Sequence, residues 1–149
     1  LFLFLKGILE KKKIKVFNYG NMKRDFTYVD DIVNTIEKIS LTIPSKDEDW
    51  NPAKPDPSSS SCPYKIYNIG NNVPVKLMDF IKAIEKKLGI KANLDLLPIQ
   101  PGDVEETHAD IDKTVEHFNY QPKTLIKDGI NHFVDWYLEH EEMLKKNGI

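Results

Sequence analysis

Lys23-Arg24-Asp25-Phe26-Thr27-Tyr28-Val29-Asp30-Asp31 is the stretch on which the reading of this chain turns. Just before it, Asn18-Tyr19-Gly20-Asn21 is a glycine-marked turn. Within it, Phe26-Thr27-Tyr28-Val29 has the aromatic and β-branched character of a strand, so a strand is expected over 24–29. After it, Ile32, Val33, Ile36 and Ile39 recur at helical spacing, and Asp30 or Asp31 places acid where a helix begins. A strand running straight into a helix belongs to an α/β fold. A lone arginine on a short strand beside a turn can lay its planar fork across a diphosphate. Residue type alone also allows a strand-edge ion pair from Arg24 to Asp25 or Asp30.

Working outward, residues 1–13 read as a helix with Leu1, Leu5, Ile8 and Leu9 on one face and a basic end. Residues 14–18 read as a short strand. Residues 44–63 contain five prolines and the run Ser58-Ser59-Ser60-Ser61, with almost no apolar periodicity, and are expected to be a long surface loop. A loop of that length is either functional, as a mobile cover, or an insertion without a role. Residues 64–70 alternate like a strand and stop at Gly70. Residues 77–88 are amphipathic, with Phe80, Ile81, Ile84 and Leu88 on one face and Gly89 as the stop. A strand is expected over 92–97, a turn over 101–103, and helices over 111–118 and 126–145. Strands alternating with helices imply an α/β fold with parallel pairing.

The totals bound the rest. A length of 149 residues, 40% apolar and 30% charged, fits one soluble domain or part of a larger one. A net charge of -2 offers no whole-chain attraction to nucleic acid or an anionic membrane, so neither partner is expected. The single Cys62 cannot form an internal disulfide, which suits a reducing, cytoplasmic compartment. The apolar start Leu1-Phe2-Leu3-Phe4-Leu5 is too short to span a bilayer and lacks the pattern of a signal peptide. It opens inside a helical pattern without an initiator Met, as expected of a piece of something longer.

Little recognisable chemistry stands out. A nicotinamide cofactor on a doubly wound sheet needs a glycine-rich strand-to-helix turn, and none is present. Tyr19-Gly20-Asn21-Met22-Lys23 matches a Tyr-x-x-x-Lys spacing as text, but glycine and asparagine make it a turn rather than a helix. His108, His117, His132 and His140 share no ligand spacing, so no metal site is expected. Glu105-Glu106 and the 139–142 acidic run read as solvated, and Lys11-Lys12-Lys13 as a basic helix end. Gln100-Pro101-Gly102-Asp103 offers a carboxylate on a tight turn, able to accept two hydrogen bonds from a vicinal diol. Taken alone, Asp103 reads as a turn-former or helix cap.

The stretches 15–20 and 23–33 resemble the extended short-chain dehydrogenase/reductase epimerases that act on nucleotide sugars. Three more narrow the resemblance to UDP-glucuronate 4-epimerases: Ser58 to Asn71, Leu97 to Val104, and Thr107-His108-Ala109-Asp110. The resemblance covers essentially the whole chain. It implies that residues 1–149 are the C-terminal, substrate-binding portion of a Rossmann-type epimerase. It further implies that Arg24 holds the UDP diphosphate, Asp103 the uridine ribose with Gln100 beside it, and that backbone near Phe17 lies against uracil. Residues 27–31 then mainly support the fold.

The same resemblance implies an NAD-dependent isomerase, interconverting UDP-glucuronate and UDP-galacturonate and homodimeric as a whole protein. Its glycine-rich NAD site and catalytic Ser/Thr, Tyr and Lys have no counterpart here, so no catalytic residue is assigned, NAD is not expected to bind this chain by itself, and the chain alone is expected to be inactive. A nucleotide-sugar decarboxylase or dehydratase of the same superfamily shares the arginine-aspartate-aromatic run. A non-catalytic interaction domain or complementing half is the remaining alternative.

Overall fold

A computed structural model describes residues 1–148. The element order is α1 (Phe2–Leu9), β1 (Lys13–Val16), β2 (Lys23–Arg24), α2 (Val29–Ser40), β3 (Val75–Lys76), α3 (Leu77–Leu88), β4 (Asn93–Leu96), α4 (Asp112–Phe118), α5 (Ile126–Glu139) and α6 (Glu141–Lys146). The fold is α/β, as expected. β1 and β4 pair in parallel, Ile14 opposite Leu94 and Val16 opposite Leu96. β2 and β3 pair antiparallel, so parallel pairing holds for only one of the two sheets.

Two compact units emerge. The first comprises residues 1–26, 73–107 and the stretch from Thr124 onward. Its core is apolar: Leu5 and Ile8 of α1, Ile14 and Val16 of β1, Phe80, Ile81 and Ile84 of α3, and Ile130, Val134 and Tyr137 of α5. Alternation in β1 produces this directly, because Lys13 and Lys15 face out while Ile14 and Val16 face in. α3 packs on α5 through the stripe read from the sequence, and Gly89 ends it at φ 68°. Phe2 at the chain start lies edge-on to Phe133 at 4.8 Å, and Leu5 is fully buried.

The second unit comprises residues 27–72 and 108–123. α2 packs on α4. Residues 44–63 are irregular, but they are tied to themselves. Asp47 accepts from the Ser59 hydroxyl at 2.7 Å, and Asp56 accepts from the Ser58 amide and hydroxyl, each at 2.8 Å. The Ser58 amide on Asp56 is a local side-chain-to-backbone turn of the kind Asp favours, and the Ser59 hydroxyl on Asp47 ties together residues twelve positions apart.

Several boundaries differ from the sequence expectation. α1 ends at Leu9, because Lys11 adopts φ 54° and turns the chain into β1. The strand expected over 24–29 is only Lys23–Arg24: the next amide, of Asp25, donates to the Thr107 hydroxyl at 3.2 Å instead of a ladder. Helix α2 starts at Val29, just before the two aspartates. Residues 64–70 form no strand beyond one bridge from Lys65 to Ser59; the Asn68 carbonyl instead accepts from the Thr114 hydroxyl at 2.6 Å. The helix expected over 126–145 is two, broken at His140, whose ring Nδ1 lies 2.8 Å from the Trp136 carbonyl oxygen. Among the described residues no helix is long and apolar enough to cross a membrane.

Candidate functional site

Strand β2 is short, yet both of its edges are used, and this determines what stands beside Arg24. On one edge, Lys23 and Arg24 face Lys76 and Val75 of β3. On the other, the Lys23 amide donates to the Glu105 carbonyl at 2.8 Å, and the Thr107 amide donates to the Lys23 carbonyl at 3.2 Å. The Lys23 ammonium closes the arrangement on Glu106 at 3.0 Å. The segment after β4 is therefore stitched along β2.

That stitching carries the Gln100-Pro101-Gly102-Asp103 turn with it. The Asp103 amide donates to the Gln100 carbonyl at 3.1 Å, and Gly102 has φ 85°. Proline second and a positive-φ glycine third is the pattern of a type II turn. Any other residue at 102 would be strained, so the turn fixes where Asp103 projects.

Asp103 projects to Arg24. The Nη2 of Arg24 is 3.5 Å from Asp103 Oδ1, while Nη1 donates to the Lys23 carbonyl at 2.8 Å and the Glu105 carbonyl at 3.2 Å. The two side chains are 24% and 34% exposed, so both can be reached from solvent. The sequence offered Asp25 or Asp30 as ion-pair partners of Arg24; the pair the structure forms with Asp103 is one that reading did not name, and the turn-forming reading of Asp103 holds alongside it. Gln100 is exposed on the same turn.

Phe17 reaches this region by another route. β1 and β4 run in parallel, and the carboxyl end of each leads into a candidate residue: Phe17 after β1, and Gln100 to Asp103 after β4. In parallel sheets ligands bind beyond the carboxyl ends of the strands. The Leu97 amide donates to Val16 and the Tyr19 amide to Leu97, both at 2.9 Å, which ties the two exits together. Residues Phe17–Gly20 form a tight turn in which Asn18 (φ 50°, ψ 34°) and Tyr19 (φ 50°, ψ 26°) are both left-handed. The structure brings Arg24 and Asp103 into contact and keeps Gln100 on their turn. Phe17 is tied less directly: its neighbours Val16 and Tyr19 bond through backbone to Leu97, three residues before Gln100.

Sequence reasoning missed the Lys23–Glu106 pair and the Glu105 carbonyl that receives Arg24. A backbone carbonyl has no residue signature, and the partners lie some eighty positions apart, beyond any helical or strand period.

A nicotinamide dinucleotide does not fit these residues. Its pyrophosphate needs glycine backbone at a strand-to-helix turn. The glycine after β1 is Gly20, where an added Cβ would stand 2.6 Å from the Met78 sulfur, so that glycine is taken up by packing. Among the described residues no group of His, Cys, Asp or Glu could hold a metal ion.

Comparison with known proteins adds a family. The model described as GDP-mannose 4,6 dehydratase matches residues 3–133. Protein CapI of Staphylococcus aureus is 52% identical over 94% of this chain and 42% of its own length. A probable UDP-glucuronate 4-epimerase of Rhizobium meliloti (strain 1021) is 36% identical over 92% of this chain and 40% of its own. The crystal structure of a UDP-glucuronic acid 4-epimerase from Bacillus cereus, in complex with UDP-glucuronic acid and NAD, superposes with a TM-score of 0.74 at 26% identity. It covers 92% of this chain and 38% of that one. The chain thus spans about two fifths of the length of the relatives it matches.

Proposed function

The chain belongs to the GDP-mannose 4,6 dehydratase family, and on that premise we propose that it is the UDP-sugar-binding portion of an NAD-dependent nucleotide-sugar 4-epimerase. The whole protein would interconvert UDP-glucuronate and UDP-galacturonate in the cytoplasm as a homodimer, with neither nucleic acid nor membrane as partner. In this reading Arg24 takes the diphosphate, Asp103 the ribose diol, Gln100 the same sugar or a phosphate oxygen, and backbone beside Phe17 the uracil. No catalytic side chain is assigned to this chain, and NAD is assigned to the rest of the whole protein.

One observation carries the reading. A guanidinium and a turn-borne carboxylate, far apart in sequence, meet at 3.5 Å with both side chains open to solvent. A diphosphate next to a ribose presents the matching pair of groups at the matching closeness: an anion for the planar fork, and two hydroxyls for a carboxylate that accepts only. The Rhizobium and Bacillus relatives, named as UDP-glucuronate and UDP-glucuronic acid 4-epimerases, support the substrate class.

The test is thermal unfolding of the 149-residue chain with UDP and with UDP-glucuronate. A ligand at one hundred times its Kd adds about 2.7 kcal/mol of apparent stability, readily seen as a rise in Tm. Arg24→Ala should abolish that rise. An unchanged Tm at millimolar UDP would count against the reading. In the whole protein, a galacturonate product from UDP-glucuronate supports the epimerase, whereas a pentose or keto-sugar product points to the decarboxylase or dehydratase alternative.

A further inference from the structure

We infer that Asp103 is a selectivity residue which masks Arg24 against anions that come without a sugar diol; the inference rests on the UDP-binding reading above. Without ligand, the Arg24 fork already has occupants. Nη1 is spent on two carbonyls, of Lys23 and Glu105, and Nη2 faces Asp103 Oδ1 at 3.5 Å. The two carbonyls hold the guanidinium plane in place whatever else binds. The carboxylate is the one formal negative charge among the three acceptors and the one that competes with an incoming phosphate.

The consequences for different ligands are opposite. Bare pyrophosphate must displace or face the Asp103 carboxylate and brings no vicinal diol to satisfy it. UDP faces the same carboxylate but supplies two ribose hydroxyls, which replace the lost guanidinium contact with two hydrogen bonds to a charged acceptor. The ion pair is weak enough to exchange: its distance is long and both side chains are partly solvated. The Asp103 side chain is nevertheless aimed by its turn rather than by Arg24. The amide bond to Gln100 and the positive φ of Gly102 would hold residue 103 in place after the pair opens. Asp103 therefore discriminates twice, against anions lacking a diol and in favour of ribose over deoxyribose.

The experiment is calorimetric titration of the 149-residue chain and its Asp103→Asn and Asp103→Ala variants with pyrophosphate, UDP and 2'-deoxy-UDP. Asp103→Asn keeps the size of the side chain and leaves the turn intact, so it serves if the alanine variant folds poorly. Both variants should bind pyrophosphate about two- to fivefold more tightly, the range expected for removing one partly exposed opposing charge pair. The alanine variant should bind UDP at least about tenfold more weakly and lose its preference over 2'-deoxy-UDP. Pyrophosphate binding that is unchanged, weakened or undetectable in both variants overturns the inference. Failure of the underlying reading has a different signature: UDP binding by the unsubstituted chain that is absent or indifferent to Arg24→Ala.

Discussion

The two units are built on different principles. In the first, the fully buried side chains are aliphatic, among them Leu5, Ile8, Val16, Ile81, Ile84, Ile130 and Val134. In the second, the buried side chains among the described residues are Thr35, Ser59, Ile111, Thr114 and Tyr120, and all but Ile111 carry a hydroxyl. Each hydroxyl donates to an oxygen of the same unit: Thr35 to Asp31 and Ser59 to Asp47, both at 2.7 Å, Thr114 to Asn68 at 2.6 Å, and Tyr120 to Gly70 at 2.7 Å. Meanwhile α2 leaves Val29, Val33 and Ile36 more than half exposed. Hydrogen bonds add only about 0.5–1.5 kcal/mol each and are directional, whereas apolar burial scales with area. The first unit is thus held by cohesion, and the second is specified in shape with little cohesion of its own.

Each unit carries one tryptophan, Trp136 in the first and Trp50 in the second, so single-tryptophan variants can report on them separately. The largest expected effect is Ile84→Ala. It should cost about 2–5 kcal/mol in urea unfolding followed at Trp136, the usual range for emptying a packed aliphatic site. If the Trp50 transition moves by the same amount and coincides with it, the contrast between the units dissolves into one cooperative fold.

Next comes Thr114→Val, nearly isosteric, which leaves the Asn68 carbonyl without its donor. A loss of about 1–3 kcal/mol is expected, read at Trp50. A null result there would mean that the hydroxyl bonds do not hold the second unit. Smaller still is Val33→Ser on the exposed stripe of α2, expected within about 0.5 kcal/mol of no change. A large loss would show that the stripe is covered in solution.

The smallest effect concerns Asp56. Its carboxyl is lowered to about 2, first by the Ser58 amide, then by the Ser58 hydroxyl and the Lys113 ammonium at 3.0 Å. The folded value lies below the ordinary 3.8, so the contribution is complete above that value and fades as pH falls through about 2. Carboxyl NMR titration should find the midpoint near 2, and Lys113→Ala should raise it. A midpoint at the ordinary value would mean the loop turn is not formed.

The contrast also marks what sequence could reveal. Where an apolar pattern meets its partner, as with α3 on α5 or the Ile14/Val16 alternation, period alone located the core. The Ile32, Val33, Ile36 pattern located a face equally well, but periodicity says nothing of what covers a face. Residues 64–70 carried a strand signal of aromatic and branched residues, yet a strand is defined by its neighbours, and their backbone went to Ser59 and Thr114 instead. The Gly102 turn was legible because its chemistry is local. The meeting of Arg24 with Asp103 was not, because the β2 stitching that makes it is written in backbone amides. Residue chemistry singled out the two residues, the resemblance to an enzyme family assigned their roles, and the fold supplied their contact.

Tyr19 gives the region around the candidate site one more property. A bulky residue with φ 50°, directly after another left-handed residue, sits against its intrinsic preference by roughly 1–2 kcal/mol. The turn keeps it there by locking the Tyr19 amide onto Leu97 and the Asn18 side chain onto the Asn21 carbonyl. The exit of β1 is therefore a loaded spring rather than a relaxed bend, and Tyr19→Gly would be a simple way to make the chain hardier while loosening the backbone beside Phe17.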